Sequence, residues 1–333
     1  MKCQYRKRCG RNYLVFFITI VLIISGAGAG RAKKVKLVEN FYRSSCPPAE
    51  YIVRSVVNHF LSLNPGLGAG LLRLHFHDCF VKGCDASVLL DSITGQPLVE
   101  KDHPANNGSL RGFQVIDAAK TKLETTCPGI VSCADILAFA ARDSIYKLGN
   151  IWYEQPSGRR DSTISLLTDV SGNLPPPFFN ATQNAAIFAN KGFNAVEMVT
   201  LSGAHSIGIA HCSSFASRLY PTVDPTMDRS YAAVLKRICK GDMAKTTVNQ
   251  DGITPDRLDN KYYVDLIGNK GLFVSDQSML INESMKKEVV KNARYGSDWS
   301  RKFVTGMVKM GKLGVLTGNN GEIRLNCRVK NTN

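Results

Sequence analysis

Apolar residues recur at helical spacing along most of this chain. In residues 49–64 they fall three or four positions apart, as they do on the buried face of an amphipathic helix. The same periodicity predicts helices over 70–80, over 111–129 with Pro128 and Gly129 closing it, and over 132–149. Further helical patterns cover 181–192, 195–220, 231–240, 260–271 and 298–314. A turn-rich segment spans 149–180, and alternating strand patterns are scarce. These patterns predict a mostly α fold of about ten helices with little β.

The N-terminus has a different composition from the rest. Residues 1–13 contain five basic residues and no acid, and the apolar run LVFFITIVLII and a small-residue stretch follow. This order predicts a secretory signal peptide over 1–30, cleaved between Ala27 and Ala32, and a single mature domain over 31–333. A membrane anchor is the alternative, but a bilayer span needs about 20 apolar residues.

The net charge of +15 falls to about +10 when the five basic residues of segment 1–30 are removed. A basic exported protein is attracted to anionic polymers, such as cell-wall polysaccharide. The basic residues are scattered and form no nucleic-acid motif, so we expect no nucleic-acid partner.

Eight cysteines remain after Cys3 and Cys9 leave with the signal. They are Cys46, Cys79, Cys84, Cys127, Cys133, Cys212, Cys239 and Cys327. An even number in an exported chain predicts four disulfides, although eight cysteines allow 105 pairings. Cys79 and Cys84 are close enough to close a tight loop. Zinc is the alternative, but the wide spacing and the lack of paired CxxC motifs argue against it.

Residues 71–87, LLRLHFHDCFVKGCDAS, concentrate polar and titratable groups in an apolar helix. Arg73 and His77 are four positions apart, so they share one helix face. A guanidinium and an imidazole aimed at the same point would polarise and deprotonate a small polar ligand. The alternative is a helix with a solvated polar face.

Oxygen donors follow that helix. Asp78, Asp85 and Ser87, with the carbonyls of Val81 and Gly83, offer the hard ligands that Ca²⁺ prefers. A Cys79–Cys84 disulfide would hold the loop closed around such an ion.

Six motifs together resemble the class III secretory plant haem peroxidases. They are RLHFHDCFVKGCDAS (73–87), VSCADILAFAARD (131–143), LSGAHSIG (201–208), LDNKYY (258–263), KGLFVSDQ (270–277) and IRLNCR (323–328). The likeness covers essentially all of residues 40–329 in order. It implies the haem peroxidase fold, with one non-covalent haem b between distal and proximal lobes, two calcium ions and four disulfides. The implied disulfide pairs are Cys46–Cys127, Cys79–Cys84, Cys133–Cys327 and Cys212–Cys239.

The resemblance also implies roles on the distal side. His77 is the acid–base histidine, Arg73 the distal arginine, and Phe76 a shield for the iron. Asn106 accepts a hydrogen bond from His77, and Glu100 belongs to the same network beside the distal calcium. The implied residues of that calcium site are Asp78, Val81, Gly83, Asp85, Ser87 and Glu100.

On the proximal side, the resemblance makes His205 the iron ligand and Asp276 its hydrogen-bond partner. The implied proximal calcium ligands are Ser206, Asp251, Thr254, Arg257 and Asp259. The carbonyl of Pro175 is expected to help seat an aromatic donor.

The implied reaction reduces hydrogen peroxide and oxidises small phenolic donors, such as lignin precursors, in two one-electron steps. It passes through a ferryl iron and a porphyrin radical. The resemblance further implies a monomer that is secreted to the apoplast or cell wall, without a membrane segment in its mature form. The short tail CRVKNTN makes the vacuole a less favoured destination.

Three other functions compete with this interpretation. AHSIG (204–208) is a near match to the nucleophile elbow of esterases, with Ser206 as nucleophile, but the later His211 follows without an acid between them. A zinc enzyme is disfavoured because this sequence contains no HExxH motif. A calcium-stabilised binding protein on a peroxidase scaffold would not need Arg73, His77, His205 and Asp276 together. The other histidines have structural expectations: His59 and His103 on the surface, His75 in the core.

Three positions depart from the family pattern. Ser206 replaces a usual Thr, Gln250 replaces an apolar residue, and Ser214 replaces the aromatic of some relatives. Donor preference is therefore open from the sequence. Glycosylation sequons begin at Asn107, Asn180 and Asn282, and at least two are expected to be used.

Overall fold

The computed structural model describes residues 36–332, which lie within one compact unit, Val35–Asn333. The predicted signal peptide lies outside the described residues. The described chain is mostly helical, which confirms the predicted fold class. Its α-helices are α1 (Ala49–Leu63), α2 (Gly66–Val81), α3 (Phe113–Thr126), α4 (Cys133–Gly149), α5 (Ala181–Asn190), α6 (Ala195–Ser202), α7 (Arg229–Ile238), α8 (Lys261–Ile267), α9 (Val274–Gln277), α10 (Glu283–Arg294) and α11 (Gly296–Met310).

Helix α2 lies between two hydrophobic clusters. Leu71 and Leu74 pack in a cluster with α1, α3 and α4, whereas Leu72 and Phe80 pack in one with α6, α8, α10 and α11. Because both sides are covered, α2 is apolar on most of its circumference. Its few polar side chains therefore lie in a protein interior and need partners or ligands.

The helix predicted over 195–220 is wrong beyond Ser202. Helix α6 ends there, a 3-10 turn covers Gly203–Ser206, and strand β1 (Ile209–His211) pairs antiparallel with β2 (Thr247–Asn249). Gly208 adopts φ +98°, a left-handed conformation that interrupts a helix. Gly203 packs so closely on Trp299 that a methyl group there would lie 2.5 Å from Nε1. Tertiary packing thus replaces a helical pattern with a turn and a short ribbon.

Helix α10 was not predicted from the sequence. Its sequence, ESMKKEVVKNAR, is mostly charged, and Met285 and Val289 supply a narrow buried stripe four residues apart. Asn282 caps its N-terminus by accepting from Ser284 N (3.0 Å) and Met285 N (3.2 Å). The cap and that stripe are sufficient once α6 and α8 cover the helix.

All eight cysteines of the described chain are paired. The pairs are Cys46–Cys127, Cys79–Cys84, Cys133–Cys327 and Cys212–Cys239, the four that the resemblance implies. His75 is buried and lies 3.6 Å from Cys79 Sγ, but that sulfur is bonded to Cys84 and is no zinc ligand. Within residues 36–332, none of the helices combines the length and apolar character needed to cross a membrane.

Candidate active site

One face of α2 carries the distal groups. Arg73 and His77 lie four residues apart on this face, as the sequence predicts, and His77 is only 6% exposed. The segment 105–112 runs along the same face in the opposite direction. Arg73 donates from Nη1 to Ser109 O and from Nη2 to Ala105 O, both at 3.0 Å. The guanidinium is thereby fixed beside the imidazole.

The imidazole of His77 is held by an amide. Its Nδ1 lies 2.7 Å from Asn106 Oδ1, while Asn106 Nδ2 donates to Glu100 O at 2.7 Å. Because the amide nitrogen is committed to Glu100, its oxygen faces His77, and Nδ1 is the nitrogen that carries the hydrogen. Nε2 is then unprotonated, and its lone pair is available to accept a proton.

Burial, and secondarily the charge of Arg73, holds the pKa of His77 well below its usual value. The imidazole is therefore neutral at pH 7 and available as a base. Burial and the neighbouring Arg111 lower the pKa of Arg73 to about 10, so its guanidinium stays cationic at pH 7. A neutral base and a permanent cation thus lie side by side.

Two neighbouring side chains complete the distal wall. Phe76 packs in an aromatic group with Phe80 (ring centroids 4.3 Å apart) and Phe188 (6.3 Å). His103 was expected on the surface, but it is half-buried and its Nδ1 accepts from Ala105 N at 3.1 Å. It therefore supports the turn that presents Asn106.

The proximal imidazole has a carboxylate partner. His205 Nδ1 lies 2.9 Å from Asp276 Oδ1, and that oxygen also accepts from Tyr262 OH at 2.8 Å. Asp276 Oδ2 accepts from Phe273 N at 3.1 Å. Asp276 is 3% exposed, whereas the His205 side chain is 35% exposed and its Nε2 bonds to no residue of the described chain. Nothing in the sequence independently predicts Tyr262 as a partner.

These residues fit a haem. A histidine whose Nδ1–H is held by a carboxylate would offer its Nε2 to the haem iron. The His205 side chain is partly exposed, whereas its neighbours Asp276 and Tyr262 are buried. His77, with its free Nε2, has the properties needed of the base on the opposite side.

The residues around the Cys79–Cys84 loop fit a cation. Asp78 Oδ1, Ser87 Oγ and both carboxylate oxygens of Glu100 are buried without a hydrogen-bond partner in the described chain. Burial, then the neighbouring Asp85, raises the pKa of Asp78, and burial raises the pKa of Glu100 to about 8. Oxygens that water cannot reach and no donor satisfies are what a calcium ion would bind.

Two expected ligands of this cluster have further constraints. The Val81 carbonyl accepts from Lys191 Nζ at 3.0 Å, so a cation from the protein already contacts this oxygen. Nothing in the sequence signalled Lys191. Gly83 adopts φ +149°, and a methyl group there would lie 2.5 Å from Gly314 O. Only glycine at position 83 allows the loop to approach the backbone at Gly314 so closely.

The predicted proximal calcium residues lie together as well. Thr254 Oγ1 donates to Asp259 Oδ1 at 3.1 Å, and Ser206 Oγ accepts from Asp259 N at 3.1 Å. Arg257 Nε lies 3.8 Å from Asp259 Oδ2. Asp251 is fully buried and caps the loop through Ile253 N and Thr254 N.

Asp265 is an additional carboxylate that the sequence analysis missed. It is buried and accepts a hydrogen bond from Gly252 N at 2.9 Å. Gly252 directly follows Asp251 in the chain. Burial, and also the Asp251 carboxylate, raises the pKa of Asp265. Its position within the helical pattern of 260–271 gave no signal, because a single acid on a helix is usually exposed.

The remaining predicted positions are less constrained. Pro175 is half-buried, and within the described chain its carbonyl accepts no hydrogen bond. Ser214 is half-buried, and Gln250 Oε1 and His211 Nδ1 are buried without a partner there. Ser206 lies in a 3-10 turn that follows helix α6 and precedes strand β1, not in the strand–turn–helix setting of a nucleophile elbow, which removes the esterase interpretation.

Comparisons with known proteins agree with this geometry. A family model described as peroxidase matches residues 53–295. Peroxidase 5 of Vitis vinifera is 51% identical over 306 residues, covering 90% of this chain and 93% of that protein. Peroxidase 1 of Zea mays is 45% identical over 309 residues, covering 90% and 84%. Peroxidase 12 of Arabidopsis thaliana is 45% identical over 294 residues, covering 88% and 82%.

Proposed function

This chain belongs to the peroxidase family, and we propose that it uses hydrogen peroxide to oxidise small phenolic donors, one electron at a time. The activity as a haem peroxidase follows from the family. The phenolic donors, the roles of individual residues and the calcium ions are the proposal. The observation that carries it is the pair of imidazoles and their different partners. His77 Nδ1 is held by the neutral amide of Asn106, whereas His205 Nδ1 is held by the carboxylate of Asp276.

On the distal side, His77 performs the proton transfers. Its neutral Nε2 takes the proton from one oxygen of hydrogen peroxide and returns it to the other oxygen, which leaves as water. The Asn106 amide keeps Nδ1 protonated, so Nε2 remains the base throughout. Arg73 stabilises the negative charge that develops on the departing oxygen.

On the proximal side, His205 would hold the haem, and the haem would supply the electrons needed to cleave the peroxide bond. Asp276 accepts the Nδ1–H and increases the electron donation of the ligand imidazole. Tyr262 and Phe273 N hold this carboxylate in place through one oxygen each.

Calcium has a mechanical role at each histidine. Asp78 directly follows His77 and Ser206 directly follows His205, so an ion bound at either site fixes the backbone beside one imidazole. On the distal side a second link runs through Glu100, whose side-chain oxygens are unpartnered while its carbonyl holds Asn106. The unpartnered buried oxygens support the distal site most directly.

The setting of the enzyme follows from its N-terminus and surface. We propose a monomer exported to the apoplast or cell wall, where its basic charge favours anionic polysaccharide. Asn107, Asn180 and Asn282 are all exposed, which glycan attachment requires. The last two also cap helices α5 and α10 through Oδ1, a role that leaves Nδ2 free for a glycan.

A steady-state donor panel tests the phenolic assignment. The full chain, loaded with haem and calcium, is assayed with peroxide and guaiacol, coniferyl alcohol, sinapyl alcohol or a non-phenolic donor. We expect saturable oxidation of the phenols and little of the non-phenolic donor. A haem-loaded protein with a normal Soret band and no phenol turnover would contradict the proposal and favour a binding role.

A further inference from the structure

Arg111 is a half-buried cation that has no acidic partner in the described chain. No carboxylate or carbonyl of residues 36–332 forms a hydrogen bond or ion pair with its guanidinium. Burial lowers its pKa, and no nearby acid opposes that shift. A partly buried guanidinium is stabilised most by a carboxylate or phosphate partner, and residues 36–332 supply none here.

The position of Arg111 along α2 is well defined. Segment 105–112 runs antiparallel to α2. Asn106 contacts His77, and Ser109, further along the segment, contacts Arg73. A methyl group on Gly70 would lie 3.0 Å from Arg111 O, and one on Gly66 would lie 3.7 Å from Arg111 Nη1. The Arg111 side chain therefore extends from the level of residue 70 toward that of residue 66.

Gly66 and Gly70 lie on the same helix face as Arg73 and His77, because these positions are spaced by four, three and four residues. The guanidinium of Arg111 is thus on the face of α2 that carries Arg73 and His77, at its end nearest the N-terminus of the helix. It is about 16 Å along the helix axis from the level of His77. The two glycines leave this end of the face free of side chains.

The opposite end of this face is apolar. Phe76 lies toward the C-terminus of α2 and packs with Phe80 and Phe188. The face therefore runs from aromatic side chains, past Arg73, to a second cation. Haem has the same asymmetry, since both of its carboxylates lie on one edge of an otherwise apolar ring.

We propose that Arg111 binds a propionate carboxylate of the haem and sets which edge of the ring lies at the N-terminal end of α2. This inference rests on the proposed function only in that haem occupies the pocket. Arg73 and Arg111 are two like charges near each other on this face, with no described acid acting on either, and a bound carboxylate would offset their repulsion. A donor molecule that carries a carboxylate has the same chemistry and is separated by the experiment.

The test compares haem with its ester. The full chain and Arg111→Gln are each reconstituted with ferric protoporphyrin IX or with its dimethyl ester, and haem loss to an excess of a haem-binding acceptor is timed by Soret absorbance. In the unmodified chain the ester is lost faster than the acid. We expect Arg111→Gln to reduce this preference for the acid by about tenfold, the scale of one charge-assisted hydrogen bond. The exposed Arg43→Gln is the matched control and keeps the full preference.

A second variant guards against misfolding. Arg111→Lys retains the charge without the forked geometry, so its preference for the acid is expected to lie between those of the other two proteins. An unreduced preference in both variants overturns the inference. So does a change confined to the ratio of kcat/KM for ferulate over coniferyl alcohol, which would assign Arg111 to a donor carboxylate. Absence of a Soret band with either porphyrin would instead refute the proposed function.

Discussion

The two imidazoles of this protein differ in how the fold holds them. His77 lies on one long helix, is almost fully buried, and has a neutral amide partner 29 residues away in the chain. His205 lies in a 3-10 turn, is one-third exposed, and has a carboxylate partner 71 residues away. An amide partner fixes a tautomer without raising the pKa of the imidazole strongly. A carboxylate partner makes the imidazole a stronger electron donor.

The two histidines therefore have different chemical properties because their partners differ. On the distal side burial and the cation Arg73 keep the imidazole neutral, which suits a base. On the proximal side Asp276 accepts three hydrogen bonds, from His205, Tyr262 and Phe273 N. Changing one partner at a time shows which difference matters most.

The largest effect is expected from removing the distal base. His77→Leu should lower the second-order rate constant for reaction with hydrogen peroxide by about 10²–10⁴, because no other neutral base lies on that helix face. Stopped-flow Soret absorbance measures this rate. His59→Gln, an exposed histidine on α1, is the control and should leave it unchanged. A His77→Leu enzyme that reacts at the original rate would show that another group moves the proton.

Making the proximal partner resemble the distal one should have the next largest effect. Asp276→Asn replaces the carboxylate by an amide, so the His205 imidazole donates less electron density and the ferric form is less favoured. We expect the ferric/ferrous potential to rise by about 60 mV, a tenfold change for a one-electron couple. Spectroelectrochemistry measures it, with the exposed Asp242→Asn as control. A lower or unchanged potential would show that Asp276 does not influence the iron through His205.

Calcium removal should have a smaller effect that distinguishes the two sides. Verified chelation should lower the peroxide rate by about tenfold before far-UV circular dichroism reports unfolding, because each proposed ion would fix the backbone next to one histidine. Glu100→Gln should reproduce the loss of peroxide rate, since this residue joins the distal oxygens to Asn106. Asp251→Asn should alter the proximal side instead. Full turnover after both ions are removed would show that calcium has no such role.

The smallest effect concerns the donors to Asp276. Tyr262→Phe removes one hydrogen bond from Asp276 Oδ1, so the carboxylate accepts more strongly from His205 and the iron potential should fall slightly. The free energy of unfolding should fall by about 1 kcal/mol, measured by denaturant titration. Tyr263→Phe is a matched control, since its hydroxyl bonds to Val199 O and Thr200 O and not to the carboxylate. Equal potentials in the two variants would contradict a role for Tyr262 in positioning the proximal pair.

The sequence predicted the distal side better than the proximal side. Arg73 and His77 share a face through helical spacing alone, and the adjacent oxygen donors follow within ten residues. The region after Ser202 was predicted as helix and folds instead into a turn and a ribbon. Its apolar spacing is compatible with either, and the close approach of Gly203 to Trp299 decides between them.

The sequence by itself determined the helical class, most helix positions and the residue types at both imidazoles. Local periodicity and long motifs contain that information because they involve neighbours in the chain. Only the tertiary structure decided that Tyr262 donates to Asp276, that Lys191 reaches the Val81 carbonyl, that Asp265 lies buried beside Asp251, and that no acid of residues 36–332 pairs with Arg111. Such partners are distant in sequence, and a hydrogen bond between them depends on packing that brings donor and acceptor within about 3 Å.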